Sequence, residues 1–181
     1  FAEATLGVRD SACAALLEAL LNTPRFGVHH VSDVEAVDLC GCLKNVFTLA
    51  CGFARGSGFG GNVRAAIIRR ALCEMRGLLE ECLPHNRPGR VPTDALLLEA
   101  CGVGDLVLSC TIGRGQQLAA DFVSRGWTGT WEELERETLG GMRIPDLQNL
   151  QAIRELLVTR GRLDAYPLVA GTWAVAFGGA A

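Results

Sequence analysis

Between Leu39 and Phe53 the chain carries a single charged side chain, Lys44, with Asn45 beside it. A helix over this stretch would be apolar nearly all round, so it has to be buried, and other helices have to surround it. A lysine in such a place needs a reason. Burial disfavours an ammonium ion, which is how proteins fit some lysines to exchange protons near neutrality. The plainer alternative is a lysine whose stem packs on the core while its head reaches water.

The 181 residues suit one domain, or one domain plus a piece of another, and 49% hydrophobic residues supply ample core. A net charge of −3, with basic residues scattered singly or in pairs, gives no patch for nucleic acid. No apolar run is read as a membrane span, so neither nucleic acid nor membrane is an expected partner. Phe1 opens the chain without Met or a signal segment, and it reads as a piece of a longer protein. Most of the eight cysteines sit in apolar runs, as buried free thiols do in a reducing compartment. Cys40 and Cys42 are two apart, so on a helix they do not share a face, and no second pair has zinc-ligand spacing; no metal is expected.

Ala2–Gly7 and Phe26–Val31 read as strands flanking a helix over 12–22, with Asp10 or Ser11 as its cap. Such a β-α-β unit needs neighbours and cover on both faces. Everything after Val31 reads as helix. Ser32 to Glu35 has the form of a capping box opening the helix that carries Lys44. Gly56 to Gly61 matches G-x-G-x-x-G but follows a helix where a dinucleotide fingerprint requires a strand, so it reads as a turn. Further helices are expected over 62–82, with Val63, Ile67, Ala71, Met75, Leu78 and Cys82 inward, and over 93–100 with Thr93 as cap. Arg114 to Ser124 is amphipathic, Thr130 to Glu133 is a second capping box, Asp146 reads as a helix cap, and an apolar helix spans about 165–177. The polar linker from Pro84 to Pro92 carries His85, expected in solvent.

Three polar features stand apart from this packing: Lys44 with Asn45, Asp105 in apolar company, and Arg114 at a helix start. A lysine beside a carboxylate can act as acid and base on an alcohol or ketone. Arginine with the free N–H groups of a helix start suits a phosphate. Each also has a plain structural reading, Asp105 as a cap or core ion pair and Arg114 as a surface arginine.

Leu39-Cys-Gly-Cys-Leu-Lys-Asn-Val46, Ala50-Cys-Gly-Phe53, Gly58-Phe-Gly-Gly-Asn62, Ala65-Ala-Ile-Ile-Arg69 and Glu99-Ala-Cys-Gly-Val-Gly-Asp-Leu106 resemble, in order, the motifs of NAD-dependent glycerol-3-phosphate dehydrogenase. The resemblance runs along the whole chain. It implies a mainly α fold, in which residues 32–181 form the helical substrate-binding and catalytic domain. Residues 1–31 would be the last β-α-β piece of a Rossmann-type dinucleotide-binding domain whose remainder precedes Phe1. By the same resemblance Lys44 is the catalytic lysine at the C2 oxygen, and Asn45, Asp105, Ser109 and Arg114 are substrate-binding. Arg114 and Arg143 reach the cofactor, NAD. Glycerol 3-phosphate and dihydroxyacetone phosphate are the implied substrates, with a homodimer in the cytoplasm, or an organelle, as the expected setting. Gly115 stands where the family has a phosphate-binding asparagine and Gly61 where it has an aspartate. Arg143 and Pro145 replace a lysine and a glutamine in the loop that closes over the cofactor. These departures bear on affinity and closure more than on reaction type; a lost hydrogen bond to a dianion is worth about 1 to 2 kcal/mol. Two rival readings are an inactive helical assembly module and a related dehydrogenase with another phosphorylated or hydroxy-acid substrate.

Overall fold

The computed structural model describes residues 1–126 and 128–178. By its internal contacts the chain divides into two units, Phe1–Gly41 with Met75–Asp105, and Cys42–Glu74 with Leu106–Ala181.

In the first unit, strands β1 (Ala2–Gly7) and β2 (Phe26–Val31) pair in parallel, Ala2 opposite Phe26 and Gly7 opposite Val31. Helix α1 (Ser11–Leu21) makes the crossover. Asp10 caps it, its carboxylate accepting the Cys13 N–H at 2.7 Å. Asn22 ends it and stitches it to β2: its amide donates to the Val28 carbonyl at 3.1 Å and accepts the Val28 N–H at 2.7 Å. Among the described residues the sheet has these two strands alone, and Leu16, Leu20 and Leu21 of α1 are exposed.

Helix α2 (Val34–Gly56) begins one residue later than a Ser32 capping box would require. The reason is that both box partners are engaged elsewhere. The Ser32 hydroxyl donates to the Gly89 carbonyl at 2.9 Å, and the Glu35 carboxylate pairs with Arg9. Asp33 lies fully buried and receives Arg87 through two 2.7 Å bonds, Nε to Oδ1 and Nη2 to Oδ2, as well as the Val91 N–H at 3.2 Å. Burial opposes ionisation of Asp33, but the guanidinium and the N–H donors outweigh it and hold the carboxyl below the usual carboxylate range. The polar linker from Pro84 to Pro92 is therefore anchored through its centre. Thr93 is the first residue of α4 (Thr93–Leu97) rather than its cap, because its hydroxyl donates to Glu80. A π turn, Ala100–Gly104, follows and leads into α5 (Asp105–Ile112).

Contrary to the expectation from sequence, α2 is long and apolar enough to cross a membrane by length and composition, with a mean hydropathy of 1.3 over 18 residues. That stretch is 61% buried inside the protein, as suits a core helix carrying Lys44 and Arg55. Every residue from Val46 to Ala54 is buried. Helix α3 (Gly61–Cys82) turns Ala71, Met75 and Leu78 inward, whereas Val63 at its start is 40% exposed. Its Glu74, despite its charge, is 3% exposed. The carboxylate accepts Arg70 Nε and the free N–H groups of Leu168 and Val169, so it caps the distant helix α9 (Pro167–Phe177).

The rest of the second unit comprises α6 (Arg114–Ser124), α7 (Trp131–Leu139), α8 (Asp146–Thr159) and α9. Thr130 and Glu133 form the capping box expected of them. Leu118, Leu134 and Ile144 make a core on which Phe122, Trp131 and Leu139 pack, with Phe122 stacked on Trp131 at 4.2 Å. The cysteines are free thiols. Cys40, Cys51 and Cys110 are buried as expected, but Cys42 and Cys73 are exposed. Among the described residues no three His, Cys, Asp or Glu side chains come together as a metal site.

Candidate functional site

The closeness of α2 and α6 builds the site. A Cβ added to Gly52 would lie 2.5 Å from the Gln116 carbonyl and 2.6 Å from Ala119 Cβ, and one added to Gly56 would lie 3.0 Å from Ala120 Cα. Only bare backbone on α2 allows α6 so near. The start of α6 thereby comes beside the middle of α2.

A cavity of about 320 Å³ opens there. Its walls are Lys44, Asn45 and Thr48 of α2, Ser109 of α5, Gly113 to Gly115 where α5 gives way to α6, and Ile144 to Asp146 where α8 begins. Lys44 and Thr48 are one helical turn apart, and the Thr48 hydroxyl donates to the Lys44 carbonyl at 2.9 Å, leaving its methyl to face Gly115. Lys44 and Asn45 are half-buried; Arg114 is exposed at the rim, its guanidinium against Met142 Sδ. Arg114 is the first residue of α6, and its N-cap Gly113 has no side chain with which to cap the helix, whose N-terminal end favours an anion. The amide of Asn149 donates to the Cys42 carbonyl at 3.3 Å, tying α8 to α2.

Four residues singled out from sequence, Lys44, Asn45, Ser109 and Arg114, thus line one cavity. Asp105 is not among its lining residues; it begins α5, one turn before Ser109, in the first unit. Arg143 lines a neighbouring cleft with Trp131, Glu132 and Glu135, and Ile144 and Pro145 border both spaces.

Sequence reasoning missed Asp146 as a site residue. Its identification as a cap is corrected: Pro145 is the cap, and Asp146 is the first residue of α8, 5% exposed. Its carboxyl fills the space above Gly115, where any Cβ would overlap Oδ1 and would sit 3.1 Å from Thr48 Cγ2. Burial pushes this carboxyl up to about 6; its own N–H, Lys44 and Arg114 pull the other way, and Glu135 adds to the rise. The local pattern Pro-Asp before an apolar-periodic run is the same for a cap and for an inward carboxyl, so only tertiary structure separates them.

Residues 33–181 match the family model described as NAD-dependent glycerol-3-phosphate dehydrogenase C-terminus. The chain is 36% identical over 179 residues to the cytoplasmic glycerol-3-phosphate dehydrogenase [NAD(+)] of Pongo abelii, covering 99% of this chain and 49% of the relative. It is 37% identical over 169 residues to the glycerol-3-phosphate dehydrogenase [NAD(+)] of Cuphea lanceolata, covering 93% and 44%. The chain therefore spans about half the length of the curated relatives it matches. Among solved structures, DsGPDH of Dunaliella salina superposes with a TM-score of 0.89 at 28% identity, covering 98% of this chain and 30% of that one. Glycerol-3-phosphate dehydrogenase of Saccharomyces cerevisiae superposes at 0.86 and 29%, covering 98% and 51%. Motif order, helical architecture and these matches agree: the chain belongs to the NAD-dependent glycerol-3-phosphate dehydrogenase family, as its C-terminal part.

Proposed function

We propose that the protein carrying this chain interconverts glycerol 3-phosphate and dihydroxyacetone phosphate with NAD, and that this chain supplies the substrate-binding and acid/base half of the site. The observation that carries the reading is the cavity that joins Lys44 to Arg114 through Asn45 and Ser109. Arg114 and the first turn of α6 suit the phosphate, and Asn45 and Ser109 suit the hydroxyl oxygens. Lys44 Nζ takes the C2 hydroxyl proton as the C2 hydrogen departs with its electron pair, and it returns that proton in reduction. Asp105, carried over from the family pattern, is assigned a substrate-binding role, and residues 1–31 the end of the nucleotide domain.

NAD, when bound, supplies the hydride acceptor. The residues present fit such a group at its edge: Arg114 and Arg143 are exposed guanidiniums that would hold its polar groups, whereas Gly56 to Gly61 joins two helices and offers no strand-turn-helix cradle. The exposed leucines of α1 and the two-stranded sheet support a nucleotide domain that continues beyond this chain. A cytoplasmic homodimer is the assigned setting, supported for location by the names of the relatives.

In the full-length protein Lys44→Ala should lower turnover by about 10²- to 10⁴-fold while NAD binding, read by fluorescence titration, stays near normal. Near-normal turnover would remove Lys44 from the chemistry. A second reading, a related dehydrogenase with a different anionic substrate, is favoured by one observation, the Asp146 carboxyl above Gly115. A small panel of phosphorylated and hydroxy-acid substrates separates the two.

A further inference from the structure

The Arg114 end of the cavity, the end suited to an anion, already contains an acid. The Asp146 carboxyl lies above Gly115, over the first turn of α6, in space that any side chain at position 115 would need. It is nearly inaccessible to water, and the charged groups facing it are Lys44 from α2, Arg114 from α6 and Glu135 from α7. If ionised, Asp146 competes with an incoming anion for the same cations and the same helix end, and it repels that anion at contact distance. If protonated, it offers an O–H donor where a ligand oxygen would lie.

We propose that Asp146 is a specificity-determining residue that makes anion binding here proton-linked: a dianion settles against Arg114 when the Asp146 carboxyl carries a proton, which it shares with the anion as a hydrogen bond. The proposal deepens the function assigned above, since it concerns the same cavity. Burial, which lifts this carboxyl to about 6, brings the linkage into the physiological range. A ligand that brings its own donor, or a singly charged head group, gains relative to a phosphate dianion as the pH rises.

Sulfate is the appropriate probe because, unlike a phosphate monoester with its second pKa near 6, it remains a dianion throughout this range. Calorimetric titration of sulfate into the full-length protein should show affinity falling about tenfold for each pH unit above 6. At pH 7.5, repeating the titration in buffers of different ionisation heat should show about one proton taken up per sulfate bound. Asp146→Asn keeps the shape and a donor but cannot titrate, so its sulfate affinity should be flat with pH and its proton uptake near zero. Arg114→Gln should lose the binding. The idea is overturned if wild type and Asp146→Asn share the same pH slope, if both are flat, or if Arg114→Gln still binds sulfate with wild-type linkage. Circular dichroism of each variant guards against misfolding, and Asp146→Ser, smaller and also non-titrating, repeats the test if Asn unfolds. The readout needs no turnover. Failure to oxidise glycerol 3-phosphate at any pH would therefore count against the assigned reaction, and loss of the sulfate linkage against Asp146.

Discussion

Asp146 also makes a prediction about stability. Its folded carboxyl keeps a proton up to about pH 6, whereas an unfolded one releases it near the ordinary 3.8. Unfolding between those values therefore releases a proton, and stability falls as pH rises from about 4 to 6, then levels off. The ionised carboxyl costs on the order of 3 kcal/mol at neutral pH. Asp146→Asn should accordingly stabilise the protein by up to about 2 to 3 kcal/mol at pH 7.5 and by little at pH 4, measured as urea midpoints at both values. Equal gains at the two pH values would mean that packing, not charge, is what the substitution relieves. A family pattern would not have led to this residue. Lys44, Asn45, Ser109 and Arg114 could be read because motif spacing carries them, while Asp146 depends on which glycine lies beneath it in the fold.

Among the elements, the helices were legible wherever period and punctuation agreed: α6 begins at Arg114 and ends at Ser124 as its amphipathic pattern predicts, and Thr130 caps α7. Two buried carboxylates find partners far along the chain. Glu74 reaches Leu168 and Val169, and Asp33 reaches Arg87; no local pattern encodes either pairing. Ser32 is the same lesson on a smaller scale, a correct capping motif diverted by a carbonyl from a distant turn. The approach of α2 to α6 could not be read either, since Gly52 looks like any glycine in a helix until the fold shows that a Cβ there would lie 2.5 Å from the Gln116 carbonyl. Gly52→Val should cost about 1 to 3 kcal/mol in urea unfolding and raise the Michaelis constant for the phosphorylated substrate, about tenfold or more, because it displaces the helix that carries Arg114. A loss of stability with an unchanged Michaelis constant would show that the start of α6 is held by other contacts.

For the molecule as a whole, the buried ion pair of Asp33 and Arg87 is the test of how the first unit holds together. Asp33→Ala leaves a guanidinium in a dry site and should destabilise by about 3 to 5 kcal/mol at pH 7. Because the folded carboxyl is held below its ordinary value, its contribution is complete above about pH 4 and is lost as acid titrates the folded form, so the gap between wild type and variant in urea melts should be constant above about pH 4 and narrow as the pH falls below it. Convergence already at pH 6 would assign the stabilisation to other groups. The overlap of position 115 with Asp146 has a further consequence, for how this sequence can change over time. A side chain at 115 requires the Asp146 carboxyl to move aside, so the two positions are coupled: a larger residue at 115 is expected to arrive more readily in lineages where 146 has already become small.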